Sequence, residues 1–198
     1  MSRELTTALR PAIVMTLLFA GLLGLAYPAL LTGIGQLVFP AQANGSPIRD
    51  GARVVGSSLI GQQFASPRYF HGRPSAAGTG YDPTASSGSN LGPTSKALRD
   101  RVKADLATLP PSPEGSVPAD LVTTSASGLD PDISPGAAFY QAARVATARD
   151  LPLATVRTLI ERHRQAPLLG IIGEPRVNVL LLNRALDSLP AAGAKATG

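Results

Sequence analysis

From Pro11 to Pro47 the chain contains no Asp, Glu, Lys or Arg, and Ile13, Val14, Leu17, Leu18, Phe19, Leu22, Leu23, Leu25, Leu30 and Leu31 crowd its first part. A stretch this long and apolar reads as a helix across a bilayer, where each backbone group must find its partner inside the segment. The ten side chains favour insertion by about 3 to 6 kcal/mol with no charge opposing them. Ala12 to Tyr27 alone would reach only about 24 Å against a hydrocarbon core of about 30 Å. The helix is therefore expected to continue past Pro28 and to span 12–35, kinked where the proline removes a backbone donor. Within it Ala20, Gly24 and Pro28 recur every fourth residue and Ala29 and Gly33 repeat the spacing. Small residues so spaced let another helix approach closely in lipid.

Flanking charge orients the span. Arg3 and Arg10 precede it, whereas the next basic residues are Arg49 and Arg53, so residues 1–11 form a short cytoplasmic N-terminus and 36–190 an extracytoplasmic, periplasmic domain. Ala41-Gln42-Ala43 offers the alternative of a cleaved secretory signal. The apolar region is about twice the length such a signal needs, which favours a retained anchor.

The roughly 155 residues after the span suffice for one domain with its own core. Glycine (20) and proline (18) are plentiful and aromatics only 5%, predicting a turn-rich domain with small aliphatic packing. The net charge of +5 is spread without a Lys/Arg run, so no nucleic-acid partner is expected. With no cysteine and only His71 and His163, neither disulfides nor a metal cluster is expected.

Along the domain, Arg53-Val54-Val55 and Ser58-Leu59-Ile60 read as one extended segment, with Gly56 as a bulge between them. Residues 67–95 are dominated by Gly, Ser, Pro, Thr and Asn and predict a long, ordered, functional loop. Helices are predicted over 96–109, capped by Ser95 or Thr94, from the Ser134-Pro135 pair to Arg149, over 152–164, and from Glu174-Pro175 through Leu189. Leu121-Val122-Thr123 is a candidate strand, and 191–198 reads as a disordered tail. Strands early and helices late indicate an α+β domain.

No phosphate-cradling, dinucleotide, nucleophile-elbow or zinc-protease motif occurs, and no catalytic residue is assigned. A hydrolase triad could in principle be assembled on His71 or His163 with a serine and an Asp, and His71, in the long loop beside Arg73, is the centre expected for a secreted or anchored hydrolase. The run Ser125-Ala126-Ser127-Gly128-Leu129-Asp130-Pro131-Asp132 places hydroxyls, a glycine and two acids just before a capped helix. That turn offers oxygen ligands and N–H groups together, as a small-ligand sensor would need, or it is ordinary turn chemistry. His163 reads as a core or boundary residue on an apolar helix face.

A resemblance enters through several ordered blocks: Leu9-Arg10-Pro11-Ala12, Tyr27-Pro28, Gln42-Ala43-Asn44-Gly45-Ser46, Gly56-Ser57-Ser58-Leu59-Ile60-Gly61-Gln62, Tyr69-Phe70-His71-Gly72-Arg73-Pro74-Ser75-Ala76, Ser86-Ser87-Gly88-Ser89-Asn90-Leu91-Gly92, the serine-rich turn, and Gly173-Glu174-Pro175-Arg176-Val177-Asn178-Val179-Leu180. Together they resemble the C subunit of the Kdp potassium-transporting ATPase, the KdpC family, over nearly the whole chain. Asp132 departs from the pattern, where members often carry His. The resemblance implies a single-span accessory subunit of a bacterial inner-membrane complex that imports potassium at the expense of ATP. It implies three partners: a channel-like, potassium-selective subunit (KdpA), an ATP-hydrolysing P-type subunit (KdpB) and a small membrane subunit (KdpF). ATP and potassium are then handled by the complex, with no cofactor bound firmly by this chain. It further implies a part in assembly and a catalytic-chaperone role that raises nucleotide affinity, with Gln62 as the residue of interest. The flanking charges place Gln62 outside the cytoplasm, away from a cytoplasmic nucleotide site. A domain so placed is suited to cap the outer mouth of the potassium-selective subunit. The residues expected to meet a partner or ligand are Gln62, His71, Arg73, Ser89, Asn90, Ser125, Ser127, Gly128 and Asp130, with Arg176 and Asn178 as structural supports.

Overall fold

Pro28 has no N–H to donate, and its ring would press on the carbonyl four residues earlier, so an α-helical ladder cannot pass through it unchanged. In the computed structural model, which describes residues 2–111 and 115–189, the ladder widens just upstream. Helix α1 (Ser2–Gly21) gives way to a π-helical turn (Leu22–Ala26) and resumes as α2 (Tyr27–Val38), with the Tyr27 N–H on the Leu22 carbonyl. The proline is thus accommodated by one inserted residue. Residues Thr7–Val38 are long and apolar enough to cross a membrane and contain the expected 12–35. The insertion also changes which small residues share a face. Eight α-helical steps would leave Ala20 and Pro28 about 80° apart, whereas seven leave about 20°. A short helix, α3 (Pro40–Ala43), follows.

The chain divides into two compact units, Met1–Pro47 and Ile48–Gly198. At the head of the second, β1 (Pro47–Asp50) and β2 (Arg53–Ser57) pair around a turn in which Gly51 has φ +58°. The extended segment expected through Ile60 stops at Ser57. Ser57 Oγ accepts the Leu59 N–H at 3.0 Å and turns the chain. Gly56 lies within the strand and serves a close approach rather than a bulge, since a Cβ there would run into the Gln62 amide and Leu180.

No helix or strand interrupts 58–95, so the expected loop is present and longer than predicted. Helix α4 (Lys96–Thr108) begins where Ser95 accepts the Leu98 N–H, but it buries none of its residues and Leu106 is exposed. The expected strand at Leu121–Thr123 is instead a 3-10 turn, Ala119–Leu121, followed by bends. The turn aims the Asp120 carboxylate back at Ser134, whose N–H it accepts at 2.7 Å, which an extended chain would not do.

The core is built by α5 (Pro135–Arg149), α6 (Leu153–His163) and α7 (Val179–Asp187) packed on a small antiparallel sheet in the order β3 (Asp132–Ile133), β5 (Arg176–Asn178), β4 (Arg164–Gln165). Ser134 caps α5 through the Ala137 N–H at 3.0 Å, as expected. Val145, Val156, Ile160, Val177, Leu182 and Leu186 are fully buried between these elements, with Phe70 from the loop. The last helix begins five residues later than Glu174. Residues 176–178 are drawn into the sheet, with Asp132 opposite Asn178 and Ile133 opposite Val177, and Asn178 caps α7 by accepting the Leu181 N–H at 3.1 Å. The tail expected at 191–198 lies outside the described residues.

Asn178 is buried and also donates to the Ser58 carbonyl and the Asp132 carboxylate. Asn178→Ala removes a cap and leaves the half-buried Ser58 carbonyl and Asp132 carboxylate without their amide donor, so it is expected to lower stability by about 1–3 kcal/mol. Asn178→Ser keeps an acceptor at the cap and should recover part of the loss, read as urea midpoints of the two variants.

Candidate functional site

The long loop owes its shape to side chains reaching from two helices. Asn183 of α7, itself buried, accepts the Phe70 N–H at 2.8 Å and donates to the Phe70 carbonyl at 2.9 Å. Gln141 of α5 repeats the arrangement one residue on, accepting the His71 N–H at 2.8 Å and donating to its carbonyl at 3.0 Å. Arg144 and Arg149 donate to the carbonyls of Pro67 and Arg68. Arg149 also lies over the Tyr69 ring at 4.7 Å and pairs with Asp187 at 2.7 Å. Phe70 and His71 thus have both backbone groups held by helix amides in place of a neighbouring strand, and the turn before them, closed by the Tyr69 N–H on the Ser66 carbonyl, is tied down by the two guanidinium groups.

Beyond this segment the loop interlocks with the serine-rich turn. Arg73 pairs with Asp130 at 3.0 Å, both half-buried, and reaches the Thr123 carbonyl and hydroxyl at 3.4 Å. Ser75 Oγ donates to the Gly128 carbonyl at 2.6 Å while accepting the N–H groups of Ala77 and Tyr81. Ser127 presents its carbonyl to the Ser87 N–H and the Ser86 hydroxyl, and its own hydroxyl accepts the Leu129 N–H. Gly128 has φ +68°, and a Cβ there would fall 2.7 Å from the Ala77 nitrogen and the Ser87 oxygen. The glycine is required by both conformation and space. Ser125 is buried beneath the same turn.

The expected residues therefore fall into separate groups. Arg73, Ser125, Ser127, Gly128 and Asp130 come together, and Arg73 borders three adjoining depressions. His71 lines another wall of the first, a cavity of about 500 Å³ shared with Tyr81, Tyr140 and Arg144. Gln62 sits apart, its amide donated to the Val55 carbonyl at 3.0 Å. Ser89 is half-buried, and Asn90 is exposed with φ +52°. Arg176 pairs with Asp132 at 3.1 Å. Sequence reasoning passed over Ser75, Tyr81, Gln141 and Asn183. For the last two a signal existed: each is an amide on a helix face otherwise made of Ala, Val and Leu.

Burial sets the electrostatics. Tyr81, whose hydroxyl donates to the Arg73 carbonyl at 2.7 Å, has its pKa pushed up to about 12 by burial and by the Asp130 carboxylate, with Arg73 opposing. Burial also raises Asp132 above the ordinary carboxylate value, against Asn178 and Arg176, which favour its charged form. His71 is held below its ordinary value, chiefly by burial and further by Arg144, with Ser66 opposing. Its Nε2 lies 3.1 Å from the Ser66 carbonyl, so in the neutral ring that nitrogen carries the proton. Among the described residues no group of three or more His, Cys, Asp or Glu could hold a metal ion.

A folded-state pKa below the unfolded one means that the neutral ring stabilises the fold above the unfolded value and that this contribution is lost as pH falls. The domain is thus expected to lose stability as pH drops below 6.5, the ordinary value for His71. His71→Gln should flatten that part of the profile, and the difference between the two pH-dependent urea midpoints measures it.

Compared with known proteins, residues 9–188 match the family model described as KdpC: K+-transporting ATPase, c chain. The relative named potassium-transporting ATPase KdpC subunit from Caulobacter vibrioides strain NA1000 / CB15N is 62% identical over 182 residues, covering 91% of this chain and 92% of the relative. The protein of that name from Gemmatimonas aurantiaca is 59% identical over 186 residues, covering 92% and 94%. The one from Bradyrhizobium diazoefficiens is 53% identical over 196 residues, covering 92% and 98%.

Proposed function

The chain belongs to the KdpC family, the c chain of K+-transporting ATPases, and from that premise we propose that it is a non-catalytic accessory subunit of an ATP-driven potassium importer in a bacterial inner membrane. The observation that carries the reading is the family match across residues 9–188, which includes both the apolar helix and the loop-bearing domain. The helix anchors the subunit with its N-terminus in the cytoplasm, as the flanking arginines favour, and its small-residue face packs on the membrane subunits. The domain caps the outer mouth of the potassium-selective subunit and stabilises the assembly. Potassium selection belongs to that subunit and ATP hydrolysis to the P-type subunit, with the small membrane subunit accompanying them.

The state of the loop supports a cap rather than a reactive centre. Arg73, Ser127 and Asp130 are engaged by bonds within the chain, which makes their surface rigid and shaped before any partner arrives, and preorganisation of that kind lowers the entropic cost of docking. Nucleotide chaperoning through Gln62 fits less well, because the flanking charges favour a position for it outside the cytoplasm, away from a cytoplasmic nucleotide site.

In the assembled complex, Arg73→Ala and Asp130→Ala are expected to change the potassium concentration for half-maximal ATPase activity by roughly fivefold, the factor that about 1 kcal/mol represents. The ATP concentration for half-maximal activity should stay as in the parent complex. Altered ATP dependence with an unchanged potassium response would favour the nucleotide-chaperone role instead. Complex yield is measured first, so that a failure of assembly is not read as a change in affinity. In the membrane, Gly24→Leu should reduce co-purification of the other subunits while leaving insertion intact.

A further inference from the structure

The hairpin joining β4 to β5 ends in a tip that the domain does not use for its own packing. Leu168, Leu169, Ile171 and Ile172 are 66%, 82%, 83% and 57% exposed, outside the core described above. Leu169 also holds φ +55° beside Gly170 at +78°, a left-handed position at which glycine or asparagine is far easier than leucine. An aliphatic side chain in a strained place, with no packing inside the fold, needs a role outside it.

The tip's backbone indicates the kind of surroundings. The Leu168 N–H bonds the Ile172 carbonyl at 2.9 Å and the Ile172 N–H returns to Leu168 at 3.0 Å, while the Gly170 and Ile171 N–H groups are taken by Pro167 and Leu168. From Ala166 to Gly173 no side chain carries a hydrogen-bonding group. A segment entering hydrocarbon must satisfy its donors internally, and this one does so for four of the five residues 168–172. A protein groove would ordinarily be met by a polar rim as well.

We propose that the Leu168–Ile172 tip is a lipid-contact element that inserts shallowly into the interfacial layer of a bilayer. A weak partition is enough, because the membrane-spanning helix already holds the chain at a membrane surface and makes the second contact intramolecular. The inference rests on that helix alone and stands or falls separately from the subunit's part in potassium transport.

The chain has no cysteine, so one introduced label reports one place. Full-length Ile171→Cys carrying an environment-sensitive fluorophore is reconstituted, with no other protein, into vesicles of phosphatidylethanolamine and phosphatidylglycerol. Ala104→Cys, on the exposed face of α4, serves as the comparison. The expected result is that a nitroxide borne on the lipid quenches the label at 171 and iodide in the buffer does not, with the reverse at 104. If iodide quenches both sites alike and the nitroxide neither, the proposal is overturned. Protection at 171 that arises only when the other subunits are added overturns it too, and assigns the tip to a protein groove.

Discussion

Two buried carboxamides hold the loop-bearing domain in its form. Asn183 and Gln141 each accept an N–H and return one to the carbonyl of the same loop residue, Phe70 and His71. A backbone segment lying over a helical core needs partners for both groups of every residue, and leaving one buried and unpaired costs about 1–3 kcal/mol. The usual remedy is a neighbouring strand. Here α5 and α7 supply the partners from side chains, so Phe70 can be driven into full burial without a sheet to carry it.

The rest of the loop follows from that fixed segment. With His71 held, Arg73 falls opposite Asp130 and Thr123, and Ser75 falls beneath Gly128. Glycines at the contact, Gly61, Gly88 and Gly128, leave room for the backbone on the other side: a Cβ on Gly61 would lie 2.5 Å from the Asp130 carbonyl oxygen. A polar, glycine-rich stretch thereby becomes a surface with one shape. That is the property a subunit needs if its contribution to a membrane complex is to present a face, and it locates Arg73 and Asp130 within a scaffold.

What the sequence disclosed and what it withheld divide along the range of the interactions. The apolar helix, Ser134-Pro135 opening α5, Ser95 capping α4 and the long loop are all written in neighbouring residues. Pro28 was legible as a disturbance, but its resolution into a π turn depends on how the whole ladder shares one missing donor. The start of α7 was misread because Glu174-Pro175 has the form of a helix opening, whereas pairing with Asp132 and Ile133 extends the chain to Asn178. Strands of two or three residues carry no period to detect. Arg73 and Asp130 stood out by their type, while their partnership across the chain, and the amide pairs beneath it, join residues with no pattern linking them in sequence.

Hydrogen exchange at the amides of Phe70 and His71, in the full-length chain, tests most directly whether side chains do the work of a strand. Both amides should exchange as slowly as those of the core helices, and Asn183→Ala should release the loop around Phe70 while α5 and α6 keep their protection. Exchange at Phe70 and His71 as fast as at exposed loop amides in the unaltered chain would contradict the account.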